Sequence, residues 1–128
     1  MIYVDSSVVL AELLMEDRRP VSTLWDEVLV SSRLLEYEVW NRLHARGLGV
    51  TRSYSTQLVL SQITLYELIP DHLDRALLPF PISVRTLDSL HLATIEFLRR
   101  RERPMTLASY DQRLLTAAAA LGIEPASL

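Results

Sequence analysis

The amino-acid sequence predicts an α/β fold, with a mainly parallel central sheet of four to five strands flanked by helices. Three observations predict it. Short apolar runs at Ile2-Tyr3-Val4, Glu27-Val28-Leu29-Val30-Ser31 and Pro104-Met105-Thr106-Leu107-Ala108 suit strands buried on both faces. Each run passes into serine or aspartate and then into a helical pattern. Strands and helices therefore alternate, and over 128 residues no repeat, low-complexity linker or boundary interrupts them, so residues 1–128 are expected to form one domain.

The elements follow in order. After Asp5, Ser6 to Met15 is apolar nearly all round, as in a buried helix, and Asp17-Arg18-Arg19-Pro20 breaks it. Val21 to Asp26 reads as a short helix before the second strand. Ser31-Ser32 then repeats the hydroxyl switch, and the helix from about Arg33 to Arg46 carries Leu35, Val39 and Leu43, with Gly47-Leu48-Gly49 ending it. Thr51 or Ser53 to Leu68 reads as one amphipathic helix with Leu58, Ile63 and Tyr66 on a side. Asp71 to Leu78 suits a further short helix among Pro70, Pro79 and Pro81. Thr86 caps a long helix to Arg101 striped by Leu87, Leu90, Ile95 and Leu98. Ser109 starts the last helix, with Gln112 completing an S-x-x-Q capping box. Gly122 ends it, and Ile123-Glu124 suits an edge strand.

Composition narrows the chemistry. There is no cysteine, which removes disulfides, thiolate nucleophiles and cysteine zinc sites. All 13 basic residues are arginine, so P-loop and Schiff-base chemistry are excluded. A net charge of −3 exerts no global pull on nucleic acid, which would need a local arginine cluster or a bound cation. No stretch suits a membrane span or a signal peptide, and the default expectation is a cytoplasmic protein.

Four acidic residues share one kind of setting. Asp5 and Asp111 each follow a strand and open a helix, Asp88 lies in the first turn of the long helix, and Glu38 lies one turn into the helix after the second strand. In a parallel sheet the carboxyl ends of the strands and the helix starts lie along one edge, so these side chains are candidates to converge. Two carboxylates about 6 Å apart repel by roughly 3 kcal/mol at an effective dielectric near 20. Convergence therefore calls for raised pKa values or a hard divalent cation. Oxygen-only ligation suits Mg²⁺ or Mn²⁺, and the chemistry that follows is metal-assisted phosphodiester hydrolysis. Each acid also has a plainer reading. Asp5 suits a helix cap, Asp88 and Asp111 complement helix dipoles, and Glu38 pairs with Arg42 four residues on, with Glu36 as its competitor for the site.

Four segments then carry a resemblance: Ile2-Tyr3-Val4-Asp5-Ser6-Ser7, Ser31 through Val39, Arg85-Thr86-Leu87-Asp88-Ser89-Leu90-His91-Leu92-Ala93-Thr94, and Ser109-Tyr110-Asp111-Gln112-Arg113-Leu114. In order and spacing the chain resembles a PIN-domain protein, specifically a VapC-type toxin ribonuclease, over essentially its full length. The resemblance implies a three-layer PIN-like fold and an acidic quartet of Asp5, Glu38, Asp88 and Asp111, with Asp5 and Asp88 the foremost metal ligands. It also implies Mg²⁺ or Mn²⁺ dependence, RNA cleavage leaving a 5′-phosphate, homodimerisation and neutralisation by a cognate VapB-type antitoxin. Ser6 and Ser109 stand where threonine is common in the family.

His91, one turn from Asp88, reads as a packed core histidine. The Arg99-Arg100-Arg101-Glu102-Arg103 run reads as a solvated helix end, and Trp25 and Trp40 as core or dimer surface. Arg42 and Arg46 are better placed to meet RNA or an acidic partner. Two alternatives stand beside the ribonuclease. One is a catalytically weak PIN-like module that binds RNA or a partner. The other is a phosphatase with Asp5 as covalent nucleophile, which lacks both a second aspartate, at Ser7, and a lysine.

Overall fold

Strand β1, Ile2–Val4, sits inside a four-stranded sheet of order β3-β2-β1-β4 in which every pairing is parallel. The computed structural model describes residues 1–15, 17–101 and 104–128. The other strands are β2 (Leu29–Ser32), β3 (Ile63–Tyr66) and β4 (Thr106–Ala108). Parallel neighbours need long crossovers, and the helices supply them. Helix α1 (Ser6–Leu13) and a short 3₁₀ helix (Ser22–Asp26) join β1 to β2, and α2 (Leu34–Ala45) and α3 (Ser53–Ser61) join β2 to β3. Helices α4 (Pro70–Ala76) and α5 (Thr86–Arg101) lead to β4, and α6 (Gln112–Ala120) follows it.

Alternation along the strands splits the core into two apolar layers. Val4, Leu29 and Ala108 pack with Val8, Leu35, Val39 and Leu60 from α1 to α3. Their strand neighbours Tyr3, Val30 and Leu107 pack on the opposite face with Leu92, Ile95 and Leu114 from α5 and α6. The result is the expected three-layer α/β arrangement. Among the described residues no helix is long and apolar enough to cross a membrane.

Several local expectations are corrected. The helix expected to run to Leu68 stops at Ser61, and Ile63-Thr64-Leu65-Tyr66 forms β3, in register from Leu29↔Ile63 to Ser32↔Tyr66. β-Branched and aromatic side chains there gain more from pairing with β2 than from continuing the helix, and Leu58, expected on an apolar stripe, is half exposed. Helix α6 is capped by Asp111, not by a Ser109–Gln112 box, with the Arg113 and Leu114 amides donating to the carboxylate. Thr86 is the first residue of α5 and not the cap before it, and Leu87 of its expected stripe is nearly half exposed. Ile123-Glu124 does not form a strand. The Leu107 amide donates to Glu124 O and the Ala126 amide to Leu107 O, a single parallel bridge along the β4 edge. At the end of α2, Gly47 takes φ +69°, which lets the chain turn without a Cβ clash.

Candidate active site

Because the strands are parallel, the residues after β1, β2 and β4 emerge at one sheet edge. Val4 is registered with Ala108, so Asp5 and Ser109 leave the sheet side by side. Asp5 is 6% exposed and caps α1, accepting from the Ser7 amide. The Ser7 and Ser109 hydroxyls donate to the same oxygen, Oδ2, at 2.6 and 2.9 Å. Each serine is held in turn, since the Tyr110 amide donates to Ser7 Oγ and the Asp111 amide to Ser109 Oγ, both at 2.9 Å. Asp5 is thus both a cap and a fixed component of the edge. No described residue donates to its Oδ1.

Glu38 reaches the edge from α2. Its Oε1 lies 2.6 Å from His91 Nε2, and His91 Nδ1 lies 2.7 Å from the Tyr3 hydroxyl, which accepts from the Ser32 amide at 3.2 Å. An ionised Glu38 can only accept, so Nε2–H donates to it, and in the neutral ring Nδ1 is then the acceptor of the Tyr3 hydroxyl proton. His91 is 1% exposed. Burial pulls its pKa down, but the Glu38 hydrogen bond and the charges of Glu38, Asp5 and Asp88 outweigh it, so the value lies above that of an ordinary histidine. Burial pushes the Tyr3 phenol far up, so it keeps its proton. The expectation of a packed, hydrogen-bonded histidine holds, and the bond it makes is to a member of the acidic set.

Asp88 and Asp111 are joined by a residue that sequence reasoning did not single out. Arg85 Nε donates to Asp88 Oδ2 at 3.2 Å and its Nη2 to Asp111 Oδ2 at 3.1 Å. The only sequence signal for this was a basic residue one turn before Asp88, next to the helix start. Asp111 spends its second oxygen on the α6 amides, whereas Asp88 Oδ1 and Glu38 Oε2 receive no donor from a described residue.

All four acids line one cleft of about 430 Å³, together with Ser6, Ser7, Arg42, Arg85 and Thr86. Among the described residues, however, no three acidic or imidazole side chains stand close enough to close on one metal ion. Their carboxylates are engaged with other partners instead, Glu38 with His91, and Asp88 and Asp111 with Arg85. The donor set nonetheless fits a hard divalent cation chemically. It consists of oxygen alone, and three of the carboxylates keep an uncommitted atom.

Other candidates fall outside the cleft. Glu36 pairs with Arg33 at 3.0 Å. Arg99 donates to Leu121 O, Arg100 lies 3.7 Å from Glu96, and the Arg101 guanidinium stacks on Phe97, while Glu102 and Arg103 lie outside the described residues. Trp25 packs against the core, and Trp40 stacks on His44.

In comparison with known families, the model described as PIN domain matches residues 2–120. No curated protein matches the chain.

Proposed function

We propose, from the premise that this chain belongs to the PIN-domain family, that it is a metal-dependent ribonuclease and the toxin of a type II toxin–antitoxin pair. PIN domains are generally nucleases and typically use divalent metals. The observation that supports the metal-dependent nuclease part of this reading is the shared cleft, in which Asp5, Glu38 and Asp88 each keep one carboxylate oxygen without a donor from a described residue, while the toxin role rests on the resemblance of the four sequence segments.

In this reading Asp5, Glu38, Asp88 and Asp111 form the catalytic and metal-binding set, with the first three supplying oxygens to Mg²⁺ or Mn²⁺ and Asp111 completing the wall. When bound, such an ion lowers the pKa of water and stabilises charge on the departing oxygen. The chain's own groups do the positioning. Ser7 and Ser109 fix Asp5, and His91 holds Glu38 from behind with Tyr3 bracing the imidazole. Arg85 keeps Asp88 and Asp111 from repelling each other. Water adds to phosphorus as the P–O3′ bond breaks, giving a 5′-phosphate and a 3′-hydroxyl. Residues 1–128 then act as a single cytoplasmic nuclease domain, as a homodimer, restrained by a cognate VapB-type antitoxin.

Incubating the purified chain with RNA tests this reading. Cleavage with Mn²⁺ or Mg²⁺, 5′-phosphate ends, and none in EDTA is the expected result. Cleavage that persists in EDTA overturns it. A small neighbouring reading frame whose product suppresses growth arrest by this chain would support the toxin role.

A second reading, a catalytically weak PIN-like module that binds RNA or a partner, draws support from the spread of the acids, no three of which meet at one point among the described residues. A Mn²⁺ titration without heat at neutral pH would favour it.

A further inference from the structure

A second cleft of about 200 Å³ adjoins the acidic one and shares Ser7, Leu10 and Arg42 with it. Its wall carries three guanidiniums, those of Arg18, Arg42 and Arg46, and its remaining lining is Leu14 and Tyr110. Glu38, Arg42 and Arg46 succeed one another at four-residue steps on one face of α2 and its cap. Successive turns lie about 5.4 Å apart, so a line of arginines leads directly out of the acidic cleft.

Among the described residues none of these three arginines forms an ion pair, and what sets them apart from other unpaired arginines such as Arg99, which donates to Leu121 O, and Arg101, which stacks on Phe97, is that all three line one cleft. The lining of this second cleft holds three guanidiniums and no described carboxylate, a local cationic patch that suits an anion although the chain as a whole carries a net charge of −3. The lining also has an apolar side. Leu10 and Leu14 flank it, and the Tyr110 ring presents a face that the Arg18 guanidinium covers at 5.2 Å from the centroid. Guanidiniums beside an aromatic and aliphatic surface match a nucleotide strand whose bases are unstacked, and a duplex would leave the apolar part unused.

We propose that the Arg18–Arg42–Arg46 cleft binds the flanking nucleotides of a single-stranded RNA, with phosphates on Arg42 and Arg46 and a base stacked on the Arg18 guanidinium that covers Tyr110. The proposal rests on the ribonuclease reading and adds the side from which the strand enters: along α1 and α2, not past the Arg99–Arg101 end of α5.

The test is fluorescence anisotropy with a short labelled single-stranded oligoribonucleotide over a series of salt concentrations. The full chain carries Asp88→Asn to prevent hydrolysis, and the comparison is with the same chain also carrying Arg42→Gln and Arg46→Gln. All the altered arginines are exposed, so folding is not at stake. The added pair is expected to weaken binding about tenfold and to reduce the slope of log affinity against log salt by about 1.4, for two lost phosphate contacts. A control pair, Arg100→Gln with Arg101→Gln, leaves both unchanged, and a duplex of the same sequence binds more weakly. Equal losses in the control pair, or duplex binding as tight as single-strand binding, overturn the proposal. Unchanged affinity in the Arg42 and Arg46 variant also overturns it, and points these arginines to an acidic protein partner. The ribonuclease reading fails separately, on absence of metal-dependent cleavage by the unaltered chain, a result that arginine-dependent RNA binding would survive.

Discussion

Helix α5 carries one carboxylate near each end, and the two are treated oppositely. Glu96 is closed off: Arg75 donates to both of its oxygens at 3.2 and 3.3 Å, Arg100 stands at 3.7 Å, and only 8% of the residue is exposed. Asp88 accepts from Arg85 at one oxygen, and the other receives no donor from the described residues. Glu96 joins α4 to α5, and each of its oxygens already accepts from a guanidinium. Asp88, like Asp5 and Glu38, keeps an atom for a ligand. Among the described residues, what differs between the two carboxylates is the number of oxygens that accept a donor: both in Glu96 and one in Asp88.

The largest expected effect breaks this contrast at its open end. Asp5→Ala or Asp88→Ala should lower metal-dependent cleavage by at least about a thousandfold, since loss of outer partners of a metal site alone costs about 10–100-fold. Asp5→Ala also removes a cap, so its stability should fall by about 1 kcal/mol. At the closed end the prediction reverses. Arg75→Ala leaves Glu96 without its main partner and should destabilise the fold by about 2–3 kcal/mol in urea denaturation, since Arg75 is partly exposed and fully buried pairs cost more. Mn²⁺ affinity should not move.

His91→Phe keeps the volume but loses the bonds to Tyr3 and Glu38. Mn²⁺ affinity should drop by about tenfold, as for other residues that orient a ligand from behind. His91→Asn, which retains a donor, should recover part of it. The smallest effect concerns the other buried histidine. His72 is 2% exposed and packs edge-on against Phe97, and no described residue bonds its Nε2. Burial holds its pKa below the ordinary value. The neutral form therefore stabilises the fold above the unfolded-state pKa, and this contribution is lost as pH falls through the folded-state pKa, with a slope of at most about 1.4 kcal/mol per pH unit. His72→Leu should flatten the difference in denaturation midpoint between about pH 7.5 and pH 5.5.

What could be read from the sequence follows from how local each signal is. The bounds of α5, Thr86 to Arg101, were legible because a long periodic run dominates its own conformation. β1 and β4 were legible as short apolar runs ending in hydroxyl and acid. β3 was hidden because Leu58, Ile63 and Tyr66 happen to fall at helical intervals, and only pairing with β2 overrides that pattern. Placement of the four acids on one edge followed from parallel topology. Their individual partners did not, because Arg85 bridging Asp88 to Asp111, and Glu38 meeting His91, span 26 and 53 residues of chain. The Asp111 cap displaced the Ser109 box for a related reason: Ser109 is engaged with Asp5, 104 residues away.

Calorimetric titration of Mn²⁺ into the 128-residue chain and its Asp88→Asn and Glu96→Gln variants asks whether the open carboxylates of the cleft hold a metal ion. Binding by the unaltered chain is expected, with its loss in Asp88→Asn and its retention in Glu96→Gln. Equal binding by the unaltered chain and Asp88→Asn, or none by the unaltered chain, would contradict that expectation.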